Sequence, residues 1–374
     1  MTPPHFILHA SQSVRIWMLK WLIFFIVTSW SALQVAASTH ICVHDKWCKL
    51  SNVCMHTDGM WEYSYTSGHI PNFSRVSLKA VNDLEDQNLF RYKISRSPDP
   101  NTRIYDKGVH VQSILYHRRN RGHQLGDNVV SVHRLALLFN ITLSDLRPIL
   151  DYPSPMFDLI TPHPSIMDHQ IKGRCVQTLL VGIGGLGYSY DLSPLFPLGV
   201  SESLNQFQAD VYQRYGIISR NLAPRCCSRV VFLEKCAKTA EHPVVIRNLQ
   251  ELVMKFRQKF QMKRVDIVSW CGMSFKEQVS VMADTDVVFS LPGSDMMNAV
   301  FMRPGAGIVV PWRYNNHKWK ASNEIRLWFR HFSKMSIVTR RPEGESNTSM
   351  FFDVDYCIGM IEEAEEMMYN PLRV

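Results

Sequence analysis

Several features that would settle the class of this chain are absent. Its N-terminal apolar run, Trp21 to Leu33, falls short of the ~20 residues that cross a bilayer. There is no internal repeat and no low-complexity tract, which excludes solenoids and disordered arrays. No nucleic-acid-binding motif stands out. Lys and Arg are scattered, with only short runs such as His117 to Arg121, although the formal net charge is +8. That surplus suits a phosphorylated ligand or an anionic membrane surface better than nucleic acid. The nine cysteines include no C-x-x-C pair, which argues against a zinc site. An Asp-x-Asp pair within Ala283 to Asp286 runs straight into an apolar strand, the wrong setting for a metal-bound ligand. A divalent metal is therefore not expected as a required cofactor.

What is present is a chain of 374 residues, 46% apolar and 20% charged, long enough for two domains with cores of their own. Arg15 and Lys20 precede the apolar run, and Val35-Ala36-Ala37 follows it before Ser38. Residues 1–37 thus read as a signal peptide or a signal anchor, the second making a single-pass type II membrane protein. Either reading puts the remainder in the secretory lumen, Golgi or endoplasmic reticulum. Cys42, Cys48 and Cys54 are expected to form disulfides in a stalk over 38–75. Nine is odd, and Cys271 in the apolar "VDIVSWC" is expected to be a buried free thiol. Sequons at Asn72, Asn140 and Asn347 agree weakly with a luminal location.

Hydrophobic periodicity divides the rest. Over 76–219 a strand at Val109 to His117 is followed by a helix with Val129, Val132, Leu135, Ala136 and Phe139 on one stripe. Beyond "RNLAPRCCSR" the pattern becomes regular. "RVVFLE", "RVDIVSW", "DVVFSL" and "GIVVPW" read as strands, and "NLQELVMKFRQKF", "SFKEQVSVMADT" and "DMMNAVFM" as the helices between them. The fold class is α/β, with a parallel sheet in the C-terminal half, 220–345, and a final helix in 346–374. The two halves are expected to face each other across a cleft.

In such sheets ligands bind beyond the carboxyl ends of the strands. Those loops hold Lys235, then Arg247 and Asn248, then Ser274, then Gly293, Ser294, Asp295 and Asn298. Gly293 allows close backbone approach, and the following helix start offers free amides. The plainer account of Ser274 and of Gly293-Ser294-Asp295 is capping and a tight turn, and on the residues alone it is favoured. "GIGGLG" at Gly182 to Gly187 has no clear helix behind it and reads as a structural loop. In the first half, "RNRGHQLGDN" gathers His123 and Asp127 between a strand and a helix. Asp127 is read either as a helix cap or as a general base, with His123 as the alternative base or an acceptor-orienting group.

Together, "GHQLGDNVVSVHRL", "VVFLEKCAKTAEHPVVIRNLQELV", "MSFKEQVSVMADTDVVF", "SLPGSDMMNAVFM" and "VVPW" resemble glycosyltransferase family 61. That family includes plant xylosyl- and arabinosyltransferases and animal protein O-linked N-acetylglucosaminyltransferases. The resemblance implies a GT-B-like architecture of two Rossmann-like domains. It implies an inverting transfer of a xylose-, GlcNAc- or arabinose-class sugar. The donor would be a nucleotide sugar, UDP-linked, and the acceptor a glycan or glycoprotein hydroxyl. It departs from the family where the usual His falls at Pro292, the "GAG" at Gly293-Ser294-Asp295 and the Thr at Met297. Gly293 and Asn298 are retained, and Lys235 stands where Arg is common. These departures keep open an inactive carbohydrate-binding or scaffolding relative.

Overall fold

The computed structural model describes residues 38–65, 72–79, 89–96, 105–115, 118–184, 186, 199–218, 220–235, 246–311, 313–315, 318–320, 336–338 and 352–370. The N-terminal segment 1–37 and the sequon at Asn347 lie outside them. Among the described residues no helix is long and apolar enough to cross a membrane. The sequon asparagines Asn72 and Asn140 are both exposed.

The first half is a mixed sheet. β1 (Thr39–Val43), β2 (Trp47–Met55), β3 (Trp61–Tyr65) and β4 (Tyr92–Arg96) precede β5 (Tyr105–Ser113), β6 (Leu146–Leu150), β7 (Ile166–Met167) and β8 (Cys175–Val181). The spatial order is β4-β3-β2-β8-β5-β6-β7, with β1 paired to β2. β8, β5, β6 and β7 run parallel, and β2 joins them antiparallel to β8. Residues 39–65, expected to be a stalk, are thus part of this sheet. β2 carries Trp47, Cys48, Leu50, Val53, Cys54 and Met55 into the interior, so a solvated stalk would expose a core strand. Disulfides Cys42–Cys48 and Cys54–Cys175 fasten it, the second across a sequence separation of 121 residues. Gly182, at the end of β8, takes φ 94°, and a Cβ there would come within 2.0 Å of the Lys46 carbonyl oxygen. Only glycine permits that crossing.

Between β5 and β6 the chain forms α1 (Arg121–His123), a π-helical turn (Gln124–Val129) and α2 (Val130–Leu138) as one continuous rod. α3 (Asp168–Ile171) precedes β8. α4 (Gly199–Tyr215) follows it and buries Leu204, Phe207 and Val211.

The second half is an all-parallel sheet. β9 (Arg229–Glu234), β10 (Arg264–Ser269), β11 (Val287–Phe289), β12 (Gly307–Val309) and β15 (Ser336–Val338) stand in the order β10-β9-β11-β12-β15. β13 (Arg313–Asn315) and β14 (Lys318–Lys320) form a separate hairpin. α5 (Leu249–Lys259) connects β9 to β10, and α6 (Phe275–Ala283) connects β10 to β11. α6 opens on the Ser274/Glu277 capping box. α7 (Val354–Tyr369) covers this sheet, with Met368 and Ala364 against Gly307. The segment expected as a helix after β11 is instead a 3-10 helix, Ser294–Phe301. Its N-cap position is Gly293, which has no side chain to cap with, and Pro304 closes off any continuation.

The two halves, expected to face each other across a cleft, share packing. One apolar core runs through both, joining Val111, Leu125, Val132 and Phe207 to Val231, Val288, Met296 and Phe301. Cys271, expected to be a buried free thiol, is exposed and disulfide-bonded. Among the described residues the buried free thiol is Cys357, in α7.

Burial also holds His110, on β5, neutral. Removal from water lowers its pKa from 6.5 to about 4, with Asp106 opposing and Arg147 assisting. Burial lowers His133 in α2 as well. A folded pKa below the unfolded one means stability is full above about pH 6.5 and is lost as pH falls toward 4. The contribution of His110 is on the order of a few kcal/mol. The thermal unfolding midpoint should therefore drop across that window, and His110→Asn should flatten part of the slope. An unchanged slope in the variant would contradict a neutral buried His110.

Candidate functional site

The second sheet has a strand reversal. With β9 as the first strand, its order is 2-1-3-4-5, and the connection reverses direction between β9 and β11. Ligands of doubly wound sheets bind at that reversal, outside the carboxyl ends of the two strands. Lys235 directly follows β9, and Gly293, Ser294 and Asp295 follow β11. Gly293 adopts φ 155° and ψ −177°, a region open in practice only to glycine. A Cβ there would lie 3.1 Å from Lys235 Nζ, which itself reaches the Pro292 carbonyl at 3.4 Å.

Asp295 sits in the first turn of the 3-10 helix and is partly buried. Burial pushes its carboxyl above the usual range, and the Lys235 ammonium pulls it back down. Lys235 is thus the cation that offsets the acid. The Asp295 backbone carbonyl takes a 3.0 Å hydrogen bond from Trp270 Nε1, at the end of β10.

The first half grips this turn at both ends. At its start, Gly122 lies so close that a Cβ would fall 2.6 Å from Ser294 Cβ and 2.8 Å from Ser294 Cα. The Arg121 guanidinium lies 5.8 Å over the Phe275 ring at the head of α6. At its end, Gln208 Nε2 donates to the Val300 and Met302 carbonyls at 3.0 and 2.5 Å. Tyr212 donates to the Phe301 carbonyl at 2.5 Å.

His123 directly follows Gly122 in the same rod, and Asp127 lies one turn further on. Asn120 caps the rod, its side chain accepting from Gly122 N and His123 N. Asp127, read from sequence as a helix cap or base, is inside the π-helical turn and does not cap. Its carboxylate accepts from His123 Nδ1 at 2.7 Å, with side chains 2% and 27% exposed respectively. The contact fixes the direction of the imidazole ring. π-helical turns recur at functional sites, and here the turn sets the pair in register.

Other candidates are placed differently. Asn248 is buried and clasps Phe352 through both its amide atoms, at 2.7 and 3.1 Å. Arg247 is exposed at the head of α5, and of the two cations only Lys235 acts on Asp295. Ser274 is engaged by Glu277, whose carboxylate accepts from both its N–H and hydroxyl at 2.7 Å. Asn298 donates to Gln278 Oε1 at 2.8 Å, and Gln278 donates to the Met273 carbonyl at 3.0 Å. Asn298 therefore braces the turn against α6. Gly122, Trp270, Gln208 and Tyr212 were not singled out from sequence, because their partners are remote along the chain. The Asp-x-Asp acid Asp286 is buried and accepts from Ala223 N, Arg229 N and Arg303.

The fold is α/β, with a mixed sheet in the first half and a parallel sheet in the second, whose strand-reversal loops carry Lys235 and the Gly293–Asp295 turn. Comparison with protein families shows the particular lineage: the chain belongs to glycosyltransferase family 61, whose model, described as Glycosyltransferase 61, matches residues 5–309. The match takes in both sheets as far as β12. Comparison with curated proteins gives no match.

Adding a methyl at the tightest point tests the contact. Gly122→Ala should cost about 1–3 kcal/mol of unfolding free energy through overpacking, against the ~1 kcal/mol helix preference of alanine. Ser294→Gly in the same chain should restore part of the loss. No loss in Gly122→Ala would show that the rod and the turn do not touch.

Proposed function

We propose that the protein is an inverting, GT-B-like glycosyltransferase of the secretory pathway. It moves a sugar of the xylose, GlcNAc or arabinose class from a UDP-linked donor to a hydroxyl of a glycan or glycoprotein. Family membership supports glycosyl transfer in general. What supports the finer reading is the approach of Gly122 to Ser294, next in sequence to His123, whose imidazole pairs with Asp127. The disulfides support a luminal location.

In this reading the donor diphosphate lies at the strand reversal. Lys235 and the amides of Ser294 and Asp295 take its charge. His123 Nε2 accepts the proton of the acceptor hydroxyl, while Asp127 holds the ring and stabilises the imidazolium that forms. The acceptor oxygen forms a bond to the anomeric carbon as the carbon–oxygen bond to phosphate breaks. The electron pair leaves on the diphosphate, and one displacement inverts the centre. Asp127 thereby moves from the base expected from sequence to a positioning role, since it is the more buried of the two. No divalent metal is required here. The carboxylate of Asp295 in the donor turn favours a second reading, a binding relative without turnover.

The test is donor titration and steady-state kinetics on folded variants. Lys235→Ala should weaken UDP binding by about 1.5–3 kcal/mol, the value of a hydrogen bond to a charged group. His123→Ala should cut kcat about 10²–10⁴-fold and leave UDP binding near wild type. UDP binding with no transfer to any hydroxyl acceptor would select the second reading. Intact kcat in His123→Ala would remove His123 as the base.

A further inference from the structure

Residues 220–228 lead from the first half into β9 and are pinned along their length. The Asn221 carbonyl accepts from Arg303 Nη1 at 2.5 Å. Ala223 donates through its N–H to Asp286 at 3.2 Å and accepts through its carbonyl from the Tyr369 hydroxyl at 2.6 Å. Ser228 Oγ donates to Glu365 at 2.6 Å. Between these anchors a single 3-10 turn, Arg225–Cys227, faces solvent. Cys226 and Cys227 on it are both free and both exposed, with their sulfurs 3.0 Å apart. That is closer than two unbonded sulfurs ordinarily rest.

The rest of the chain makes this pair conspicuous. Cys42, Cys48, Cys54, Cys175 and Cys271 are in disulfides, so the protein matures where thiols are oxidised. Two exposed thiols in contact would meet the same oxidants, whereas Cys357 is shielded by burial. We propose that Cys226 and Cys227 are a redox modification site, a vicinal dithiol that closes reversibly to a disulfide in the linker between the two sheets. The oxidant is a small-molecule or enzyme-borne disulfide. One thiolate attacks it, expels a thiol and forms a mixed disulfide. The neighbouring thiolate then attacks the protein-side sulfur, expels the second thiol and closes an eight-membered ring. Two electrons and two protons pass from the pair to the reagent, which becomes two thiols. Exposed disulfides are labile, so the same class of reagent reverses the step. Closure shortens the sulfur separation from 3.0 Å to a bond of about 2.05 Å and stiffens the turn between its anchors.

The full chain, equilibrated in glutathione buffers from reducing to oxidising poise, can be acid-quenched, alkylated and mapped by mass spectrometry. Wild type should lose both alkylation sites on the Cys226–Cys227 peptide together, in one two-electron transition, and regain both on return to reducing buffer. Cys357 should remain unreactive throughout. Cys226→Ser and Cys227→Ser should each instead carry one glutathione on the remaining thiol. The proposal is overturned if both wild-type thiols stay alkylatable at the most oxidising poise. It is equally overturned if each takes glutathione independently, or if the pair forms only intermolecular disulfides.

Discussion

The structure turns on one close approach: the backbone of Gly122 against the backbone of Ser294. A side chain at 122 would hold the rod off the turn. With hydrogen there, the first half settles onto the loop after β11, and Gln208 and Tyr212 seal its far end. Each such hydrogen bond contributes only about 0.5–1.5 kcal/mol. The larger effect is the apolar core that the contact lets both sheets share. A turn that would otherwise be a mobile surface loop becomes a wall held from two sides, which is what preorganised charge stabilisation requires.

The turn also holds an acid. Burial disfavours the charge of Asp295, and Lys235 restores part of what burial removes. In the first half, the π-helical turn sets Asp127 against His123 and fixes the direction of the imidazole.

The second half was largely legible from sequence because its signals are local. β9 is buried throughout Arg229–Leu233, the mark of a two-sided parallel strand, and α6 announces itself through Ser274 and Glu277. The first half was less legible. β2 looks like a cysteine-rich stalk until its partner β8 is known, and their link spans 121 residues. The site was legible as a set of loops but not as a set of roles. Asn248 looked like a ligand-facing residue and proves to clasp Phe352, 104 residues away. Asp127 looked like a cap because it precedes the apolar stripe, yet Asn120 caps the rod earlier, and the π turn was not visible in the spacing.

The central claim is that one site is built from both halves at the Gly122–Ser294 contact. A crystal structure with UDP bound tests it most directly. The account predicts the diphosphate within hydrogen-bond distance of Lys235 Nζ and the Ser294 and Asp295 amides, with His123 facing the position of the transferred sugar. A diphosphate seated elsewhere, or one that binds only after the rod has lifted from the turn, would contradict it.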